Sequence, residues 1–154
     1  MTAPLPLSRL KVVEFTHMVM GPTCGMVLAD LGAEVVKVEP APGGDTTRHL
    51  TGSGTGFYAS FQRNRRSLCV DMKQPEGLAL VRRLLRDADA LIENFRPGAM
   101  DTLGLGYEVL AADNPRLIYC SCKGFLPGPY EHRTALDELM CTRRASASIS
   151  SGSA

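Results

Sequence analysis

The sequence lacks several features that mark common classes of protein. No apolar run approaches the roughly 20 residues that cross a bilayer, and the N-terminus has no basic segment followed by an apolar stretch, as a signal peptide would. The formal net charge is only +1, so no general attraction to nucleic acid or to a membrane is expected. We therefore expect a cytosolic protein that binds neither, and any anion site must be local.

The cysteines lack the spacing of a metal site. There are five of them, and none forms a Cys-x-x-Cys pair. Cys120 and Cys122 are two residues apart, which places both on the same face of a strand. We expect buried structural thiols in a reducing compartment and no metal.

The composition is that of a globular domain, with 44% hydrophobic and 21% charged residues in a chain of 154. Apolar strands alternate with helical segments, which predicts an α/β fold with a Rossmann-like, mainly parallel sheet and flanking helices. The predicted strands are residues 10–15, 35–38, 68–70, 90–93 and 117–121. Helices are expected to begin at Gly21-Pro22 and at Pro75, with a short third helix over residues 107–112.

Two of these helices carry apolar residues at the helical period. Their predicted core faces are Cys24, Val27, Leu28 and Leu31, then Leu78, Val81, Leu84, Leu85 and Ala88. Residues 41–56 are rich in Gly, Thr, Ser and Pro and predict an irregular loop, whereas residues 57–61 are too few to assign. Residues 1–7 are interpreted as an N-terminal extension, and the Ser/Ala-rich tail over 140–154 is predicted to be disordered.

The loop after the first strand is the first candidate site. In a dinucleotide-binding protein it would carry Gly-x-Gly-x-x-Gly, but this chain has Met18, Val19 and Met20 there. These side chains suit apolar contact with an adenine or a pantetheine arm, and a role in the core fits them equally well. His17 is either a polar site residue or a hydrogen-bonded structural histidine.

Two charged segments have competing interpretations. Glu39 stands where an NAD-binding protein would hold a ribose; without the glycine fingerprint, a solvated carboxylate at the strand end is the better interpretation. Residues 62–67 form the densest positive patch, which suits a phosphate-bearing cofactor or ordinary solvated charge. No aromatic residues interleave the patch as they do in single-strand binders, so nucleic acid is disfavoured.

Two further strand ends could meet a ligand. Val70-Asp71-Met72-Lys73 joins a strand to a helix start, where amides and an ammonium could hold an anion, although Asp71 could instead cap the helix. Residues 91–101 join an apolar strand to a polar corner, Asn94-Phe95-Arg96, and then to Pro97-Gly98. Because connections at strand C-termini face the crevice of an α/β sheet, this corner is interpreted as a ligand edge.

The order of several short blocks carries a resemblance. The blocks are Phe15-Thr16-His17, Gly21-Pro22, residues 31–39, Gly44-Asp45, Asn64-Arg65-Arg66-Ser67, Asp71-Met72-Lys73, residues 93–98, residues 114–119, Lys123-Gly124-Phe125 and Gly128-Pro129-Tyr130. Over residues 8–139 they resemble the N-terminal part of the family III CoA-transferases of the CaiB/BaiF type. That family includes formyl-CoA transferases and α-methylacyl-CoA racemases.

The resemblance implies a coenzyme A site and a reaction. CoA would contact Val19, Met20, Val70, Asp71, Met72, Lys73, Asn94, Phe95 and Arg96. The family transfers CoA from an acyl-CoA to a carboxylate acceptor through an aspartate nucleophile, which lies beyond the segment matched here, so no catalytic residue is assigned. Asp137 matches a site-lining acidic position and not that nucleophile. Pro40 and Thr102 stand where some relatives carry an arginine that contacts CoA.

The resemblance also bears on how complete the chain is. Full-length family members are longer and form intertwined homodimers completed by a second domain, so the fold here is expected to be incomplete and a homodimer is in doubt. We expect a truncated CoA-binding portion that is inactive alone. The alternatives are a non-catalytic CoA or nucleotide-binding module and a non-functional gene fragment, such as a frame-shift product.

Overall fold

The computed structural model of the protein describes residues 4–125 and 128–133. The chain divides into two units, Met1–Cys122 and Lys123–Ala154. In the second unit, the rings of Phe125 and Tyr130 lie 6.3 Å apart, and the Arg133 guanidinium lies 4.4 Å from the Tyr130 ring centre. Asp137, Cys141 and the predicted disordered tail over 140–154 lie outside the described residues.

The first unit is built on a five-stranded sheet in the order β3-β2-β1-β4-β5. The strands are β1 (Lys11–Phe15), β2 (Glu34–Pro40), β3 (Arg66–Val70), β4 (Ala90–Glu93) and β5 (Ile118–Ser121). All four pairings between neighbouring strands are parallel. The predicted α/β fold with a parallel, Rossmann-like sheet is therefore confirmed.

Five helices and two 3-10 turns connect the strands. The helices are α1 (Met20–Asp30), α2 (Phe57–Phe61), α3 (Pro75–Arg86), α4 (Ala99–Thr102) and α5 (Tyr107–Asp113), and the turns are Thr46–His49 and Gly52–Gly54. Helix α2 forms in the segment that the sequence left unassigned. The two turns lie within the predicted irregular loop, which the polar contacts described below hold in place.

One face of the sheet, here called the apolar face, packs against α3 and α5. Its buried cluster includes Val13, Phe15 and Leu91 from the strands and Val81 and Leu85 from α3. The predicted core face of α3 is confirmed, because its remaining members are buried or pack against the same cluster.

The other face, here called the α1 face, has two different halves. Toward the start of the strands, Val12, Val35 and Ile92 pack with Ala29 and Ala33. Toward their carboxyl ends, the strands instead carry buried charged residues, Glu14, Lys37 and Glu39. We call these three residues and their partners Arg65, Asp45 and Arg48 the ionic layer.

The predicted core face of α1 is correct only in part. Cys24 and Leu28 pack on the sheet, but Val27 and Leu31 are exposed. The buried residues are instead Gly21, Pro22, Gly25 and Ala29. A Cβ on Gly25 would lie 1.8 Å from Oε2 of Glu14, so the helix approaches the ionic layer through its small residues, and the large ones fall outside.

The prediction of buried thiols is also correct only in part. Cys24 and Cys122 are half-buried and pack against the α1 face, whereas Cys69 and Cys120 are exposed. The exposed pair lies on β3 and β5, which are the outer strands of the sheet formed by the described residues and each pair there with one neighbour only. All four are free cysteines.

Candidate functional site

The strand order reverses between β1 and β4. The chain runs from β1 through β2 to β3 on one side and then returns to add β4 and β5 on the other. In an open parallel sheet, the crevice beyond the carboxyl ends at this point is the usual place for a ligand. Residues 16–19, after β1, and residues 94–98, after β4, flank that crevice.

Asn94 joins these two loops. The backbone N–H of His17 donates to Oδ1 of Asn94 at 3.0 Å, and Nδ2 of Asn94 donates to the carbonyl oxygen of His17 at 2.8 Å. A Cβ on Gly21 would lie 2.7 Å from Cβ of Thr16 and 3.0 Å from Cγ of Asn94. The start of α1 can therefore approach both loops only because residue 21 is glycine.

The His17 ring lies beside Phe95 at the same point, with ring centres 5.8 Å apart. Burial lowers the pKa of His17, and the nearby negative charge of Asp45 opposes this only in part. The imidazole is therefore neutral at pH 7, and the His17–Phe95 pair is aromatic and uncharged.

The sequence-predicted contacts after β1 lie at the start of α1. Val19 is the N-cap residue and is half-buried, and Met20, the first residue of the helix, is 51% exposed. Of the two alternatives for these residues, exposure at the crevice edge favours ligand contact for Met20 over a place in the core.

The predicted contacts after β3 and β4 divide by exposure. Val70 belongs to the buried cluster of the apolar face, and Met72 and Phe95 pack against it. Lys73 and Arg96 are exposed. The two cations are thus accessible to an anion, whereas three of the predicted contacts also serve the core.

Asp71 does not cap α3. Its Oδ1 accepts from the backbone N–H of Lys73 at 3.0 Å, which closes a turn ahead of the helix. The N-cap residue is Gln74. Helix capping by Asp71 is therefore wrong, because the helix begins further along the chain.

The two predicted contact segments lie apart in the sheet. β2 and β1 separate β3 from β4, and three strand spacings amount to about 14 Å. Residues 70–73 and 94–96 thus lie on one edge of the sheet without meeting. A compact ligand could contact only one of these segments, whereas an extended one could contact both.

Glu39 is not a solvated carboxylate. It is only 1% exposed, and its carboxylate accepts from Nε and Nη2 of Arg48, both at 2.8 Å, from the Asp45 N–H at 2.8 Å and from Ser67 Oγ at 2.9 Å. Burial alone would raise its pKa, but these hydrogen bonds outweigh burial and lower the pKa to about 2. Both oxygens are already engaged, which leaves none to hold a ribose.

Arg65 belongs to the ionic layer and not to a phosphate site. Its side chain is 2% exposed, pairs with Glu14, and donates to the carbonyl oxygens of Pro22 and Phe61, both at 2.6 Å. Burial raises the pKa of Glu14, and Arg65 opposes that shift. The other two arginines of the positive patch are exposed and form ion pairs with Asp30 and Glu34, so they conform to the solvated-charge interpretation.

The sequence interpretation missed the burial of this layer, although a signal was present. In β2 the charged residues alternate with valines, so Lys37 and Glu39 share a face with Val35. A parallel strand between two others is covered on both faces, so charges there require partners. Asp45 and Arg65 also stand in blocks that carry the resemblance.

Pro40 and Thr102 supply no charge at the site. Pro40 is exposed at the end of β2. Thr102 is exposed at the end of α4, and its hydroxyl donates to the carbonyl oxygen of Gly98 at 3.0 Å. Any phosphate contact near these positions must come from other residues.

Metal ligands do not cluster within residues 4–125 and 128–133: no group of three His, Cys, Asp or Glu side chains there could hold an ion. In the same part of the chain, every helix is too short or too polar to cross a membrane.

A sequence model of CoA-transferase family III matches residues 7–154. The chain belongs to this family. Among its curated relatives is a succinate–glutarate CoA-transferase of Agrobacterium fabrum, 44% identical over 146 residues, which cover 88% of this chain and 36% of that protein. An acyl-CoA transferase of Fusarium pseudograminearum is 40% identical, over 86% of this chain and 32% of that protein. This family III chain therefore spans about a third of the length of these relatives.

Solved structures of relatives have the same fold. A CaiB/BaiF family protein from Brucella suis superposes with a TM-score of 0.83 at 43% identity, over 92% of this chain and 39% of that one. The hypothetical protein Rv3272 of Mycobacterium tuberculosis superposes with a TM-score of 0.86 at 37% identity, over 99% of this chain and 42% of that one. The resemblance stated from the sequence blocks is confirmed, and the chain matches only part of the longer proteins. The family match runs from residue 7 to residue 154, past the expected bounds of 8–139.

Proposed function

We propose that this chain is the CoA-binding α/β portion of a family III CoA-transferase, which transfers CoA between an acyl-CoA and a carboxylate acceptor. The observation that carries the proposal is the crevice between β1 and β4, where Asn94 ties the two predicted contact loops together. Membership of the family supplies CoA as the ligand.

The placement of the predicted contacts suits a long cofactor with charge at one end. Met20 offers apolar surface at the β1–β4 crevice, and Arg96 offers a guanidinium on the same side. Lys73 is about three strands away and offers a second cation. An extended molecule with phosphates and an apolar arm, such as CoA, can contact this whole edge. The proposed site is Val19, Met20, Val70, Asp71, Met72, Lys73, Asn94, Phe95 and Arg96.

These residues would bind and orient CoA, not attack the thioester. In the family's reaction an ionised aspartate attacks the acyl-CoA and expels CoA thiolate, which then attacks the resulting anhydride to give an aspartyl-CoA thioester and the free donor carboxylate. The acceptor carboxylate repeats these steps in reverse, which gives the new acyl-CoA and frees the aspartate. Glu14, Glu39, Asp45 and Glu93 are all buried. Each accepts a hydrogen bond from another group of the fold, so none of the four is presented as a nucleophile.

Calorimetric titration of the 154-residue chain with CoA tests the proposal. We expect one CoA per chain and weaker binding by Arg96→Ala and by Lys73→Ala, each of which removes a cation. Arg116→Ala is the matched control. Arg116 is also exposed, but it precedes β5 and so lies at the amino ends of the strands, away from the proposed site. Absence of heat at millimolar CoA, or equal losses in Arg96→Ala and Arg116→Ala, would contradict the site.

A second measurement tests the assignment of chemistry. Incubation with succinyl-CoA and glutarate, chosen from the two acids in the name of the Agrobacterium relative, should give no CoA transfer by this chain. Formation of glutaryl-CoA would show that these 154 residues hold a nucleophile. The cytosolic location stays a prediction, as does the homodimer of the full-length family.

A further inference from the structure

Three successive residues after β1 have their backbone groups bonded to side chains from other elements. Nζ of Lys37 donates to the carbonyl oxygen of residue 16 at 2.6 Å, and Asn94 exchanges two hydrogen bonds with residue 17. Oγ1 of Thr47 accepts from the backbone N–H of residue 18 at 3.0 Å. Side chains, and not a regular ladder or helix, thus fix residues 16–18.

The last of these residues, Met18, has an unfavourable backbone conformation. Its φ is +64°, in the left-handed region that residues other than glycine seldom adopt. Such a conformation persists only where the surroundings hold it. Val19 and Met20 follow directly, so the conformation of Met18 sets the direction in which both leave β1 and enter α1.

Thr47 is the part of these surroundings that contacts Met18. It is 1% exposed, and its hydroxyl donates to Oδ1 of Asp45 at 2.7 Å while accepting from Met18. Because the hydroxyl proton is committed to a carboxylate, a lone pair is left to face the Met18 N–H. The geometry therefore fixes Thr47 as an acceptor at this point.

Asp45 connects Thr47 to Lys37 of β2. Its Oδ2 lies 2.8 Å from Nζ of Lys37, the same ammonium that donates to Thr16. Burial would raise the pKa of Asp45, but its hydrogen bonds from Lys37 and Thr47 outweigh burial, and the net pKa lies below the usual range. Asp45 is therefore ionised at pH 7 and can only accept, which keeps the Thr47 hydroxyl in the orientation described.

We propose that Thr47 is a positioning residue for CoA: it holds Met18 in the left-handed conformation and so presents Val19 and Met20 to the cofactor. The proposal rests on the proposed CoA site. Thr47 acts through Met18 and not by touching the ligand, since it is buried behind the loop.

Three variants of the 154-residue chain test this role by calorimetry with CoA. Thr47→Val keeps the shape and removes the acceptor, and its Kd is expected to rise about tenfold, equivalent to about 1.4 kcal/mol. Thr47→Ser keeps the hydroxyl and should bind as the unaltered chain does. Thr46→Val, the same change at the exposed neighbour in the same turn, should also leave Kd unchanged. An unchanged Kd in Thr47→Val would overturn the proposal.

A double-mutant cycle separates positioning from general loss of stability. In a Met20→Ala background the exposed one of the two presented side chains is gone, so Thr47→Val should raise Kd by less than tenfold. A merely structural defect would instead add independently to the effect of Met20→Ala. Additive losses would therefore contradict the positioning role.

Amide hydrogen exchange at Met18 tests the link between Thr47 and Met18 without CoA. Exchange should be faster in Thr47→Val than in Thr46→Val or the unaltered chain, because only the first change removes the acceptor. Unchanged exchange would contradict the link itself. If exchange accelerates but the unaltered chain shows no CoA binding, the proposed function is what fails, and presentation to CoA fails with it.

Discussion

The two faces of the sheet are stabilised in different ways. The apolar face holds one cluster of aliphatic and aromatic side chains between the strands, α3 and α5. The half of the α1 face near the carboxyl ends holds the ionic layer, in which each charged residue is paired with one of opposite charge. Loss of a contact on the apolar face leaves a cavity, whereas loss of one partner in the ionic layer leaves an uncompensated charge.

The largest effect is expected from removing one partner of a buried pair. Arg65→Met should destabilise the protein by about 4 kcal/mol, because Glu14 is then buried without its cation. Denaturation by urea measures this. The double variant Glu14→Gln/Arg65→Met should recover much of the loss, since no charge then remains, and a double variant no more stable than Arg65→Met would contradict this account.

A cavity on the apolar face should cost somewhat less. Leu91 is fully buried in β4, and Leu91→Ala is expected to destabilise by about 3 kcal/mol. The same urea titration measures it. In contrast to the ionic layer, the size of this loss should not change between pH 7 and mildly acid pH, and a loss that vanished in acid would contradict the comparison.

The sequence predicts the apolar face well, because its signals are local. β4 has the predicted bounds, and Val81 and Leu85 recur at the helical period and are buried. Where periodicity failed, in α1, glycine was the reason, since close approach at Gly25 depends on the absence of a side chain. A hydrophobic pattern does not show where a missing side chain allows a helix to approach the sheet.

The ionic layer and the site depend on pairs between different elements, which no period encodes, even where only nine residues separate the partners, as for Glu39 and Arg48. Arg65 is 51 residues from Glu14, and Asn94 is 77 residues from His17. A charged residue at a strand end is as consistent with exposure to solvent as with a buried ion pair, and only the position of its partner distinguishes the two. The order of the sequence blocks predicted that the two crevice loops contact a ligand, but it did not predict the contacts that hold residues 16–18.

The pH dependence of stability should report on the ionic layer. The folded-state pKa of Glu39 is about 2, below its ordinary 4.5, so its contribution is complete above about pH 4.5 and is lost as pH falls toward 2. The whole contribution is at most about 3 kcal/mol. We expect the unaltered chain to lose stability over this window and Glu39→Gln to lose less.

Comparison with Glu39→Gln isolates this carboxylate from the others. The lowered pKa of Asp45 acts in the same direction, and the raised pKa of Glu14 acts in the opposite one, because folded Glu14 gains a proton before the unfolded chain does. Leu91→Ala should follow the pH profile of the unaltered chain. If the stability of the unaltered chain and that of Glu39→Gln fell in parallel with pH, the loss could not be attributed to Glu39.

The smallest effect is expected from an ion pair in solvent, which separates burial from charge pairing as such. Arg66 and Glu34 are 2.9 Å apart, close to the separation of Lys37 and Asp45, but their side chains are 79% and 49% exposed. Water already stabilises both ions, and holding two mobile side chains together offsets much of the attraction, so Glu34→Ala should cost about 0.5 kcal/mol or less. Urea titration at low and high salt measures this, and salt should reduce the small loss further. A loss comparable to that of Arg65→Met would mean that charge pairing, and not burial, distinguishes the two faces.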